Sequence, residues 1–200
     1  MNIFYLHDSP KISAQMHCDK HVVKMCTEYA QLLSTAHRVL DGEKYIDSTS
    51  GRNIQRWRMH NKSELLLYKA SHVNHPSAVW TRETNQNYEW LAIQWVYLLQ
   101  EYHYRYGKDH GAGKLRFVLM NIPYNIDITS NWSDPPPAMP SECIVTDEFG
   151  FVDIVNSYRN YYIQKKSMFA KWTKRETPDW YREGLLNLMV CQNEAMGLYD

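Results

Sequence analysis

Apolar residues along this chain recur mostly at three- and four-residue spacing, the period of helices with one buried face. Ser9-Pro10 is a helix start, with Ser as cap and Pro at the first helical position. The spacing predicts a first helix from about Pro10 to Leu40, closed by Asp41-Gly42. A second long helix is expected from Pro76 to about Tyr106, with a stripe at Tyr88, Leu91, Trp95, Leu98 and Tyr102 and an end at Gly107. Ile54–Ala70 reads as partly helical, with Leu65, Leu66, Leu67 and Tyr68 buried. Lys114–Met120 reads as a short helix or turn. Asp153 to about Trp172 is a further helix, and Thr177-Pro178 opens a last one ending near Met196. Only Asn2–Leu6 alternates as a strand, and Ile144–Thr146 is its expected partner. Asp47–Asn53 is a loop. The segment 121–150 carries DPPPAMP and little periodicity, so it is expected as a long irregular Pro-rich insertion. The fold class predicted is mostly α: a single compact multi-helix domain, 1–200, with at most a short two-stranded β element.

Gln15–Thr35 holds the most pointed pattern. Read as a helix, it places His17, His21, Lys24 and Glu28 on one narrow arc, with Lys20, Gln31 and Thr35 at its edges and Val22, Cys26, Ala30 and Leu33 opposite. Two imidazoles one turn apart beside Lys and Glu suit proton transfer, phosphate binding or a shared metal. Cys18, not Glu, follows His17, so the zinc-protease pattern is missing. No cofactor is expected, a metal at His17/His21 being the one exception the spacing admits. A merely solvated face is the plain alternative. His37 falls on the apolar stripe and is expected in the core with one partner. Arg38 and Asp41 are expected to pair on the surface.

A second constellation is HVNHPSAVWTRE, His72–Glu83. His72, Asn74 and His75 open straight into a helix start, where unpaired N–H groups attract anions, and Arg82 follows. Capping by Asn74 or His75 is the equally weighted structural reading.

Composition changes the picture in one place. The chain has 22 Lys plus Arg against 22 Asp plus Glu, so no overall field draws in nucleic acid or membrane. Yet Tyr158–Arg182 carries seven basic residues (Arg159, Lys165, Lys166, Lys171, Lys174, Arg175 and Arg182) against two acids, a local net charge of +5. Tyr158, Tyr161, Tyr162, Phe169, Trp172, Trp180 and Tyr181 are interleaved with them. Cations hold phosphates and flat rings stack on bases, so this stretch points to DNA. The plain alternative is a basic helix whose rings belong to the core. Gly111-Ala112-Gly113-Lys114 lacks Walker spacing and has Leu115 where a Ser or Thr is needed. Four scattered Cys and no secretory leader predict a reduced, cytoplasmic protein without disulfides. No apolar run is long enough for a membrane span.

MNIFYLHDSP at the start, HVNHP at His72–Pro76, YHYRYG at Tyr102–Gly107 and RETPDWY at Arg175–Tyr181 together resemble the pyrimidine-dimer DNA glycosylases, small helical repair enzymes of phages and bacteria. The resemblance implies a helical DNA-binding fold. It also implies attack by an amine on the sugar carbon of a damaged nucleotide, a Schiff base, and a first-helix Glu that supports strand cleavage. Glu28 is the Glu on the predicted first helix. The expectation is therefore a DNA-acting, glycosylase-like enzyme with Glu28, His17, His21, Lys24, His72 and His75 in its cleft. Arg82, Arg159, Lys165, Lys166, Lys171, Lys174 and Arg175 would lie on phosphate, and Trp172 or Trp180 against a displaced base. An enzyme of free nucleotides and a non-catalytic interaction protein are the rivals. Oligomeric state is not legible.

Overall fold

The computed structural model describes residues 1–195. It is mostly helical, with α1 (Pro10–Met16), α2 (Asp19–Asp41), α3 (Pro76–Thr81), α4 (Asn85–Tyr106), α5 (Arg116–Leu119), α6 (Ile154–Lys166) and α7 (Asp179–Ala195). Two antiparallel pairs complete it: β1 (Glu43–Asp47) with β2 (Ile54–Arg58), and β3 (Val145–Thr146) with β4 (Val152–Asp153). Among the described residues no helix is long and apolar enough to cross a membrane. The expected end of α7 near Met196 lies outside the described residues.

The core forms where α1 and α2 pack on α4 and where the N-terminal segment meets α6. Trp95, Tyr29, Tyr88, Tyr158 and Tyr162 are its largest fully buried side chains. Each buried polar tip finds a partner, as the cost of desolvating it requires. Trp95 Nε1 donates to the Cys26 carbonyl at 2.8 Å, Tyr88 to the Leu119 carbonyl at 3.0 Å and Tyr158 to the Pro136 carbonyl at 2.8 Å. Much of the tyrosine and tryptophan excess is thus core. The stripe Tyr88, Leu91, Trp95, Leu98, Tyr102 is buried as its period predicts, and Gly107 closes α4 in the left-handed conformation at φ 67°.

Several expectations are corrected. Asn2–Leu6 joins no sheet. Residues 3–6 are buried outside any regular element, and side chains satisfy their backbone groups. Phe4 N–H donates to Tyr29 Oη, Leu6 N–H to Ser13 Oγ, and the carbonyls of Phe4 and Leu6 accept from Gln94 and Arg159. The partner expected for it, Ile144–Thr146, instead supplies β3. Ile54–Ala70 opens as strand β2 and is helical only in the 3-10 turn Lys62–Leu65, and of its expected buried residues Leu65 and Leu66 are exposed, Tyr68 is half-buried and Leu67 is buried. Arg38 does not pair with Asp41. It is buried, donates to the carbonyls of Tyr68, Trp57 and Leu67, and meets Glu64 at 2.7 Å, pinning the β1–β2 hairpin and the following turn to α2. Asp41 instead accepts from the backbone N–H groups of Tyr124 and Asn125. His37 keeps its expected place in the core, sharing Nε2–H between Tyr88 Oη and the Asn121 carbonyl.

Both long helices are broken. The first parts at His17-Cys18, which are extended. Tertiary contacts hold the break: Trp172 Nε1 donates to the Met16 carbonyl, Asp19 N–H to the Lys171 carbonyl, and the Asp19 carboxylate accepts from Thr173 and Arg105. The second parts at Arg82–Thr84, where Thr84 caps α4 by accepting from Asn87 N–H.

Candidate functional site

The break before α2 rotates the two histidines of Gln15–Thr35 off the surface. His17 is fully buried. Its Nδ1–H donates to the Ser13 carbonyl at 2.7 Å, and its Nε2 accepts from Tyr29 Oη at 3.1 Å. His21 is buried too, stacked on Phe4 with ring centroids 4.2 Å apart, its Nδ1 2.5 Å from Tyr162 Oη. Burial pushes the His17 pKa down to about 4, and burial with the nearby His17, Lys166 and Lys24 pushes His21 down to about 2. Both are neutral near pH 7. With both nitrogens of His17 engaged, the pair offers a metal no shared lone pairs. The single reactive face expected for His17, His21, Lys24 and Glu28 is thereby divided: the histidines belong to the core, while Lys24 and Glu28 remain outside.

Lys24 Nζ and Glu28 Oε1 lie 3.1 Å apart one turn along α2. Facing them is the loop before α3. Thr35 Oγ1 accepts from Ser71 N–H, tying that loop to α2. His72 takes φ 49°, uncommon for a residue with a Cβ. The His72 carbonyl accepts from His75 N–H at 2.8 Å, and His75 Nδ1 accepts from Ser77 N–H, capping α3. Of the two caps the sequence offered, His75 is the one used. Arg82 Nη1 donates to the carbonyls of Val73 and Ala78, so the guanidinium clamps this loop.

The His75 pKa is lowered by burial first, then by the amino group at Met1 and by His72, while Glu28 raises it. Groups from the start of the chain, from α2 and from the 72–75 loop therefore lie within electrostatic reach of one ring. Because Nδ1 accepts, the neutral His75 ring carries its proton on Nε2 and can donate there but not accept. That leaves Glu28 as the carboxylate base of the group.

Much of the basic, ring-rich stretch is paired within the protein. Arg175 pairs with Glu101 at 2.8 Å, Lys165 with Glu142 at 2.9 Å, and Lys174 Nζ donates to the Tyr104 carbonyl. Arg159 donates to the Leu6 carbonyl and lies over the half-buried Trp180 ring. Trp172 is buried against Tyr181. Lys171 is exposed, and only its carbonyl is engaged. The residues from 171 to 175 act as a strap across the α1–α2 break and the end of α4.

Two further cations, on α2 and α6, lie against aromatic rings. Lys20 Nζ sits 4.6 Å from the Phe169 ring centroid, and Lys166 Nζ 4.3 Å from that of Tyr161. Lys166 and Lys24 both lie within electrostatic reach of His21. Phe169 and Tyr161 are half-buried. Sequence reasoning placed Lys20 only at the edge of the arc and counted Tyr161 and Phe169 only among the rings of the basic stretch. Their pairing with lysines crosses from α2 to the α6 region or spans five residues within it, a signal that periodicity does not carry.

Comparison with protein-family models, with curated proteins and with solved structures gives no match.

Proposed function

We propose that this chain is a DNA-acting, glycosylase-like enzyme that processes a damaged or modified base, with Glu28 as its catalytic carboxylate. One observation supports the reading: the Lys24–Glu28 pair on α2 lies within electrostatic reach of His75 from the loop before α3, and Lys20 on the same helix and Lys166 on α6 each sit over an aromatic ring. Glu28 draws a proton from a water whose oxygen bonds the sugar carbon as the bond to the base breaks, and the departing base nitrogen receives that proton. His75 Nε2–H orients an oxygen of the substrate. Lys20 and Lys166 hold phosphate, and Tyr161 and Phe169 flank the displaced base. An imine route uses the Lys24 amine in place of water, with Glu28 drawing off its proton.

The test is release of base from lesion-containing duplexes, with borohydride trapping in parallel, for wild type, Glu28→Gln and Lys24→Gln. Base release lost in Glu28→Gln is the expected result. A trapped adduct that maps to Lys24 selects the imine route. Full activity in Glu28→Gln overturns the assignment.

A second reading, an enzyme of free nucleotides, is favoured by the pairing of Arg159, Lys165, Lys174 and Arg175 within the protein, which leaves fewer cations for phosphate. Salt separates the two. Three neutralised phosphates weaken binding about 40-fold between 50 and 200 mM salt, whereas one weakens it about 3-fold.

A further inference from the structure

A cavity of about 450 Å³ lies between the C-terminal half of α4 and the 3-10 turn Gly111–Leu115 that leads into α5. Its walls include Leu99, Gln100 and His103 on one side and Gly113, Lys114 and Arg116 on the other. The volume lies within the range of small-molecule sites. The charge on its walls is one-sided. Lys114 and Arg116 are exposed, and no hydrogen bond or ion pair to the side chain of either occurs among the described residues. The one carboxylate present, Asp109, is taken by His103 Nδ1 at 2.9 Å. That contact orients the ring and leaves His103 Nε2 open to a ligand.

The turn that carries these cations is fixed from behind. His110 caps it by accepting from Ala112 N–H at 3.1 Å. The His110 ring also bonds the Val23 backbone on α2 and packs edge-on against Tyr102, with centroids 4.8 Å apart. Ala112 and Leu115 are buried, so the intervening Gly113 and Lys114 face the cavity from a rigid base. Arg175, Lys165 and Arg159 each hold a partner on the protein, so the unpaired state of Lys114 and Arg116 sets them apart from these three.

We propose that this cavity binds a phosphate monoester of nucleotide size. A planar guanidinium and a mobile ammonium side by side match a phosphate carrying two negative charges. The Gln100 amide can donate to the ligand, His103 Nε2, with the ring proton on Nδ1, accepts from a ligand hydroxyl, and Leu99 with the bare Gly113 backbone makes a flat wall for a ring. The inference does not depend on the Glu28 reading, since no residue is shared. The phosphate belongs either to a free mononucleotide or to the end of a nucleic-acid strand.

Calorimetric titration with adenosine 5′-monophosphate, adenosine and inorganic phosphate tests it, with 5′-phosphorylated and unphosphorylated oligonucleotides as further arms. The proteins are wild type, Lys114→Gln/Arg116→Gln, and Lys44→Gln on β1 as a charge control. Both cavity substitutions are at exposed positions, and an unchanged unfolding midpoint shows that the fold is intact. The expected result is binding of the monophosphate that weakens at least about tenfold without the phosphate group and about tenfold in the double variant. Lys44→Gln binds as wild type. Capture of the phosphorylated oligonucleotide, lost in the double variant, identifies a strand end as the source. Capture of the mononucleotide alone identifies a free ligand. Equal binding of adenosine and its monophosphate, undiminished binding by the double variant, or no binding of any phosphate at millimolar concentration overturns the proposal.

Discussion

Lowering the pH from 7 to 5 is expected to remove a large part of this protein's stability, and the cause is two buried rings. His17 and His21 are neutral in the fold, with pKa values pushed to about 4 and about 2, chiefly because burial disfavours the charged ring. Around His17, Arg105 adds to the depression, while the Ser13 carbonyl and Glu101 oppose it. Around His21, the nearby His17, Lys166 and Lys24 all add to it. An unfolded chain protonates both rings near 6.5. Below that value the unfolded state takes up protons that the native state refuses, so stability falls as pH falls. Each ring contributes about 1.4 kcal/mol per pH unit. At pH 5 the loss is about 2 kcal/mol per ring and about 4 kcal/mol for the pair, against a typical total of about 5–15 kcal/mol. His37, His75 and His110 shift the same way through burial and steepen the fall. Asp19 and Glu64, held below the usual carboxylate range, lose their contribution only at more acidic pH. Urea unfolding at pH 7, 6, 5.5 and 5, followed by tryptophan fluorescence, measures the slope. His17→Gln removes one of the titrating rings and is expected to flatten the slope by about one proton while lowering stability at pH 7. A stability that stays flat from pH 7 to 5, or a His17→Gln variant that keeps the full slope, refutes the reasoning.

Further outcomes follow from single contacts. Glu101→Gln leaves Arg105, which is buried, and Arg175 without their shared carboxylate, and is expected to cost about 3–5 kcal/mol in urea unfolding. Asp19→Ala removes the acceptor for Thr173 and for Arg105, and is expected to cost about 2–4 kcal/mol and to speed tryptic cleavage after Lys171 and Lys174. Gly107→Ala is expected to cost about 1 kcal/mol, because φ 67° strains a side chain there while the space around it is open. Gly111→Ala, with equally open space and no positive φ, is expected to be neutral or to stabilise by up to about 1 kcal/mol in the same measurement.

What could be read from the chain alone was whatever local periodicity controls. The helical class, the α4 stripe, the Gly107 stop, the Pro76 start and the irregular stretch 121–150 all follow from neighbours within a few residues. His37 could be placed in the core because its own helix face is apolar. Glu28 and Lys24 could be paired because a single turn of helix joins them.

The rest was decided by contacts between residues far apart in sequence. Nothing near His17 announces a helix break. It exists because Trp172, the Lys171 carbonyl and Thr173 reach it from the other end of the chain. That break turns an apparent reactive face into two core histidines and a separate Lys–Glu pair. The basic stretch looked like a ligand surface because local charge counts omit Glu101 and Glu142, which neutralise two of its cations across space. The electrostatic reach of Glu28 to His75 is tertiary as well. A periodic pattern fixes which face of a helix is apolar, but hydrogen bonds over a hundred residues or more of separation fix where that helix ends and what its polar face meets.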